Sequence, residues 1–249
     1  MLNTDNTTIS GETIDYGPCA FLDAFDPATV FSSIDHGGRY AFGAQPQIIQ
    51  WNLTRLAEAL LPLIDPDQET AVVLATAILQ DYPDRFARAW RPLMAGKLGL
   101  DGAGDHPDDP DLFDDWLALL HAHQADHTGA TRALSATVRG DVEPARRWFA
   151  TPDAWDAFTA WSARHLARVA ADGRDPLDVA AAMDRVNPAV IPRNHLVEEA
   201  LAAATAGDLA PFHDLVDAVT HPFADRPAGD RYANPAPADF GPYQTFCGT

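Results

Sequence analysis

The sequence predicts a mainly α-helical protein in which a short β-hairpin at the start of the chain is followed by a bundle of amphipathic helices. Three observations lead there. Beyond Pro46, apolar residues recur at helical spacing in block after block. Each block is bounded by Pro, Gly or Asp, and strand-like alternation appears only in the first residues, around a Ser-Gly pair. With 249 residues, 47% of them hydrophobic, and with six Trp and 12 Phe, the chain has material for a full core.

The first element is read in NTDNTTISGETIDYGP, from Asn3 to Pro18. A two-residue turn at Ser10-Gly11 sets Ile9 opposite Glu12, Thr8 opposite Thr13, Thr7 opposite Ile14 and Asn6 opposite Asp15. Side chains alternate between faces, so Thr8, Thr13, Asn6 and Asp15 share a polar face and both Ile fall on the other. From there to about residue 45 no helical period is visible, which predicts an irregular loop.

Leu53, Leu56, Ala57, Leu60, Leu61 and Ile64 then mark a helix that Pro62 should shorten or kink and that Asp65-Pro66 ends. Gln68 to Tyr82 is helical by content, with Pro83 stopping it before a second stretch through Trp90. The acidic DGAGDHPDDPD, from Asp101 to Asp111, puts Leu112 where a calcium loop needs Glu. It is therefore read as a solvated connector, with Asp111 or a neighbour capping the next helix. That helix places Leu112, Phe113, Trp116, Leu117 and Leu120 on one side. Further helices are expected around Trp155 to Val169, Leu177 to Val186, His195 to Thr205 and Phe212 to Val219. Asp225 to Thr249, rich in Pro, Gly and Asp, reads as an extended tail. The organisation is thus 1–45 for hairpin and loop, 46–224 for the bundle, and 225–249 for the tail.

The formal charge of −19, from 36 acidic against 17 basic residues, repels phosphate backbones and argues against nucleic acid as a partner. A nucleotide would bind through a divalent cation. Lys97 is the only lysine, which fits either a biased genome composition or a salt-adapted surface. No apolar run is long enough to span a bilayer. Met1-Leu2-Asn3 opens no secretory signal, so a cytoplasmic location is expected. Cys19 and Cys247 match no zinc spacing and are read as free thiols in a reducing compartment.

Chemistry concentrates in the hairpin. Opposed residues on an antiparallel pair have Cβ atoms about 5 Å apart, so Asn6 and Asp15 could share one hard cation. An amide oxygen and one carboxylate suit Mg²⁺ or Mn²⁺, which keep waters and take further ligands from phosphates. Asp5, outside the ladder, is free to act as a base. The bland alternative is that Asp5 caps a turn while Asn6 and Asp15 satisfy a hairpin end. Elsewhere, His123 and His127 stand one helical turn apart but lack a third ligand, and read as a solvated helix end. His165 reads as a packed histidine, and Trp51, Trp116, Trp155 and Trp161 as core anchors. In IDHGGRY, Ile34 to Tyr40, Arg39 meets either a phosphate or an acid such as Asp35.

A base just before one ligand, with Asp15-Tyr16-Gly17 following, resembles the protein-kinase arrangement of a catalytic-loop Asp and Asn and a later Asp-Phe-Gly. Longer strings are more specific. LNTDNTTISGETIDYGPCAFLDAFDP, IDHGGRYAFGAQPQIIQWNLTRLAEAL, VNPAVIPRNHLVEEAL, HPFADR and the closing FCGT resemble the selenoprotein O family across essentially the whole chain. The resemblance implies a kinase-like large, C-terminal lobe without its N-lobe, and transfer of AMP from ATP to Ser, Thr or Tyr of protein substrates. It places Asp5 as catalytic base and Asn6 and Asp15 as metal ligands, Asp15 also contacting the nucleotide through the ion. It also implies a redox role for Cys247, with Cys19 a displaced candidate partner. The family's glycine-rich segment and triphosphate clamp do not precede Asn3, so the chain alone is expected to be inactive. The other reading is a non-catalytic helical interaction or regulatory module. Oligomeric state is not set by these features.

Overall fold

The computed structural model describes residues 2–12, 20–102, 104, 106–227, 229–237, 239–241, 243 and 245. Among them the regular elements are helical. They are α1 (Gln45–Ile64), α2 (Gln68–Gln80), α3 (Tyr82–Lys97), α4 (Asp109–Ala122), α5 (His127–Val138), α6 (Glu143–Arg146), α7 (Pro152–Ala171), α8 (Pro176–Val186), α9 (Asn194–Thr205) and α10 (Ala210–Thr220). Short 3₁₀ turns occur at Thr4–Asn6, Phe42–Ala44 and Arg231–Ala233.

The expected N-terminal hairpin is not there: among the described residues there is no β-strand, only an isolated antiparallel bridge between Ala24 and Asp126. Thr4–Asn6 coils into a 3₁₀ turn closed by Asn6 N donating to Asn3 O at 3.1 Å. The next turn is centred on Ile9-Ser10 rather than Ser10-Gly11, with Gly11 N donating to Thr8 O at 3.3 Å. Local side-chain bonds take the place of a ladder: Thr8 Oγ1 donates to Glu12 O at 3.0 Å and Ser10 Oγ to Thr8 Oγ1 at 3.1 Å. Ile9 is 88% exposed, so no core rewards a strand there, and a lone two-stranded hairpin is marginal in water. Thr13 to Asp15, the other half of the expected pairing, lie outside the described residues.

The helical expectations fare better. α1 runs through Pro62 to Ile64, because a proline in a last turn breaks little of the ladder ahead of it. Pro83 begins α3 rather than stopping α2, since a first-turn proline lacks only an amide that would be unpaired anyway. Asp67 caps α2 by accepting from Thr70 N at 2.9 Å. α4 starts at Asp109 after Asp108, which makes no side-chain cap bond.

The molecule divides into two compact units. The described part of the first comprises 2–12, 27–90 and 245, and that of the second 20–26 and most of 91–243. In the first, α1 packs on α2, and Gln50 Nε2 donates to Leu79 O at 3.1 Å. In the second, α4 packs on α7 and α5 on α8. Its core is aromatic: Trp116 lies 4.5 Å from Trp161 and 6.1 Å from Phe149 between ring centroids, and Phe149 stacks on Phe158 at 4.8 Å. Trp161 Nε1 donates to Leu112 O at 3.2 Å, so its polar atom is satisfied inside the core.

Candidate functional site

The turn bearing Asp5 and Asn6 belongs to the first unit and is held from several sides. Thr7 Oγ1 donates to Asn3 O at 2.9 Å, closing the turn a second time. Asn52, buried on α1, donates through Nδ2 to Leu2 O and to Thr7 Oγ1, both at 3.0 Å. One amide thus grips the chain before and after Asp5-Asn6. The Tyr40 hydroxyl donates to Asn3 Oδ1, and Tyr40 is itself located by Asp35, whose carboxylate accepts from Arg39 N and Tyr40 N at 2.9 Å each. Asp5 and Asn6 remain exposed on this anchored segment.

Asn52 and Tyr40 were not singled out by the sequence. A signal was present in α1, where Asn52 stands four residues after Ile48 and four before Leu56, an amide in an otherwise apolar row of the helix that calls for hydrogen-bond partners when buried. Its Oδ1 has no hydrogen-bond partner among the described residues, so the donor end carries the contact.

Arg39 does not pair with Asp35 through its guanidinium, which lies 4.7 Å from the Trp51 ring centroid; Arg55 lies 5.4 Å from the same ring. Trp51 is accordingly an exposed stacking surface for two arginines and not a core anchor. Trp155 is half-buried, with Arg146 at 4.0 Å from its centroid. Trp116 and Trp161 are buried as expected.

In the second unit, two of the quoted strings meet. Arg193 of IPRNH is fully buried and donates from Nη1 to Asp23 Oδ1 at 2.5 Å and Asp126 Oδ2 at 2.6 Å, and from Nη2 to Asp126 Oδ1 at 3.0 Å. Asn194 exchanges two bonds of 3.0 Å with the Phe21 backbone. His127 N donates to Asp23 O at 2.8 Å and Phe25 N to Ala125 O at 3.0 Å. The segment FLDAFDP is therefore stitched to the N-terminus of α5, where Asp126 also caps the helix through Gly129 N.

His123 follows the end of α4 as its C-cap and His127 opens α5, the two being separated by Gln124 with φ of 50° and by the Asp126 cap, so they do not form a one-turn pair. Burial, and secondarily Lys97, push His127 down to about 4. His165 is buried, bonds Leu98 O at 2.7 Å and stacks on Trp161 at 5.0 Å; burial pushes it down to about 4, against the Leu98 bond. It is a packed core histidine.

Among the described residues no group of three or more His, Cys, Asp or Glu is placed to hold a metal ion. Asp15, Cys19 and Cys247 lie outside the described residues. The donor chemistry of Asn6 fits a hard cation that keeps most of its waters, for which one or two protein oxygens suffice.

The fold and this turn define a helical protein that presents an Asp-Asn pair on a pinned surface segment. Residues 1–220 match the family described as Protein adenylyltransferase SelO, and the chain belongs to that family. Among curated relatives, the Protein nucleotidyltransferase YdiU of Mycolicibacterium smegmatis is 53% identical over 249 residues, covering 100% of this chain and 48% of that protein. The protein of the same name from Chromobacterium violaceum is 53% identical over 253 residues, covering 100% of this chain and 52% of its own length. That of Rhodococcus jostii is 51% identical over 250 residues, covering 100% and 47%. The chain spans about half the length of the curated relatives it matches, consistent with their C-terminal portion.

Proposed function

We propose that this chain carries the catalytic-turn portion of a protein adenylyltransferase that moves AMP from ATP to a Ser, Thr or Tyr hydroxyl of another protein. The observation that carries the reading is the exposed Asp5-Asn6 pair on a turn fixed by Asn3, Thr7 and Asn52. The family description and the relatives' name, a nucleotidyltransferase, agree with it. Asp5 accepts the proton of the attacking hydroxyl, whose oxygen bonds to the α-phosphorus as pyrophosphate leaves. Asn6 and Asp15 supply oxygens for Mg²⁺ or Mn²⁺, which when bound neutralises phosphate charge. Asn52 keeps Asp5 at a constant position.

On this reading residues 1–45 hold the catalytic and metal-binding segment, 46–224 the helical lobe and 225–249 a tail whose Cys247 has a redox role with Cys19. A cytoplasmic setting is part of this reading; no helix among the described residues is long and apolar enough to cross a membrane.

The test joins the chain to the preceding half of the M. smegmatis relative and follows label from α-phosphate-labelled ATP into protein. Asp15→Ala should abolish divalent-ion-dependent labelling, and undiminished labelling would refute its role. Asp5→Ala should leave nucleotide binding intact while slowing transfer at least 100-fold; equal damage to both would move Asp5 into the binding shell. Asn52→Leu should slow transfer with little change in ATP affinity.

A further inference from the structure

Arg39 is an oriented cation without an acid. Its guanidinium carbon lies 4.7 Å from the Trp51 ring centroid and 5.7 Å from that of Tyr40, and the side chain is exposed. Asp35, the nearest acid in the chain, spends both carboxylate oxygens on the amides of Arg39 and Tyr40. The other arginines in the described part of the first unit are all paired, Arg55 with Glu58 at 2.7 Å, and Arg85 and Arg88 with Asp81 at 2.6 Å and 3.6 Å. Among the described residues, the Arg39 guanidinium has rings for partners and no carboxylate. In a chain with 36 acidic residues against 17 basic ones, that exception calls for a ligand.

The rings that hold Arg39 also adjoin the candidate site. Tyr40 donates its hydroxyl to Asn3 Oδ1, and Trp51 immediately precedes Asn52, whose amide grips Leu2 O and Thr7 Oγ1 on either side of Asp5-Asn6. A ligand on Arg39 is therefore held by the same anchored surface as Asp5. The surroundings select its chemistry. A phosphate is cradled by several donors, but here the neighbouring amides are spent on Asp35 and Arg55 is neutralised by Glu58, which leaves a single fork of positive charge. Beside that fork the surface is apolar: Trp51 is 40% exposed, and Val30, 41% exposed, has its Cγ1 3.9 Å from where a Cβ on Gly38 would stand. One planar cation among exposed apolar side chains matches one carboxylate carried by a polypeptide.

We infer that Arg39, stacked on Trp51 and Tyr40, is the docking point for an acidic side chain of the protein substrate, an Asp or Glu close in sequence to the hydroxyl that receives AMP. Arg39 touches the substrate away from the reacting atoms and sets which hydroxyls are presented to Asp5. The surrounding negative charge repels an acid placed elsewhere, so the pairing gives selectivity of position more than affinity. This rests on the proposed transfer to protein hydroxyls, yet docking itself requires neither nucleotide nor metal.

The test reads binding and transfer separately. Fluorescent peptides with one central Tyr carry a single Glu, walked from the third residue before it to the third after, against a reference with Gln at all of those positions. Anisotropy measures their binding to the 249-residue chain at physiological ionic strength. One register, or two adjacent ones, should bind about fivefold more tightly than the reference. Arg39→Gln should abolish that preference with circular dichroism unchanged, and Arg39→Lys should restore it only in part, because an ammonium lacks the fork. Arg88→Gln, on α3, should leave it whole. In the fusion with the preceding half of the M. smegmatis relative, Arg39→Gln should raise KM for the preferred Glu peptide about fivefold at unchanged kcat. Equal binding at every register overturns the inference, and so does a preference that survives Arg39→Gln. A fusion in which Arg39→Gln weakens ATP binding and leaves KM for the peptide unchanged assigns the guanidinium to a phosphate and overturns it too. An Arg39-dependent preference in the chain, with a fusion that transfers nothing, supports the docking and sinks the proposed function alone.

Discussion

Helices α2 and α5 are nearly equal in length and opposite in character. α2, QETAVVLATAILQ, is the more apolar and leaves Val72, Val73, Leu74 and Ile78 exposed. α5, HTGATRALSATV, is built from small and hydroxylated residues and buries Thr128, Ala130, Thr131, Ala133, Leu134, Ser135, Thr137 and Val138. Burial here follows fit rather than hydrophobicity. α5 is enclosed because its small residues admit close neighbours: a Cβ at Gly129 would lie 2.1 Å from Trp148 Cζ2. Its hydroxyls turn back onto the helix, Thr131 Oγ1 to His127 O at 2.6 Å and Thr137 Oγ1 to Ala133 O at 3.3 Å, so burying them leaves few donors unmet.

The comparison predicts very different sensitivities. The largest loss should follow removal of Arg193, which leaves the carboxylates of Asp23 and Asp126 facing each other without their cation at the start of α5. Breaking such a buried pair costs about 3–5 kcal/mol, so Arg193→Ala should lower the denaturant midpoint sharply, and chain that stays fully folded would contradict this role.

Acid comes next. His127 and His165 both sit near 4 in the folded chain against an unfolded value of 6.5, chiefly through burial. The unfolded chain therefore binds more protons between those values, so the stability is complete above pH 6.5 and is lost as pH falls towards 4. For His165, with no exposed surface, the loss is on the order of 3 kcal/mol. The urea midpoint should fall as pH drops across this window, and His165→Gln should flatten that pH dependence.

Gly129→Ala should cost about 1–3 kcal/mol by forcing Trp148 aside, readable as a fall in thermal midpoint. Val73→Ser on α2 should change the midpoint of the chain by no more than about 0.5 kcal/mol. A large loss from the last substitution would mean that this face of α2 is already covered.

Much of this architecture was legible. The periodic blocks announced α1, α4, α7, α8, α9 and α10 because apolar positions repeated every three or four residues between breakers. α5 escaped, since Thr, Ser and Gly weaken both helix propensity and amphipathic contrast. The hairpin was misread for the converse reason: alternating Thr and Ile fit a strand, but with nothing to bury Ile9 the local hydroxyl bonds prevail. In the candidate site, Asp5 and Asn6 stood out as residue types, whereas the grip of Asn52 across 45 positions to Thr7 was invisible until the chain folded.

The amino-acid order by itself determined the helical class, the placement of most helices and the membership of the family, because periodicity, breakers and long motif strings are local properties of a chain. Only the tertiary structure decided that Asp5 and Asn6 ride on a pinned turn, that Arg193 locks Asp23 to Asp126, and that α2 is left exposed while α5 is enclosed. Those outcomes depend on which distant surfaces meet, and shape and hydrogen-bond complementarity between remote segments leave no periodic trace in the sequence.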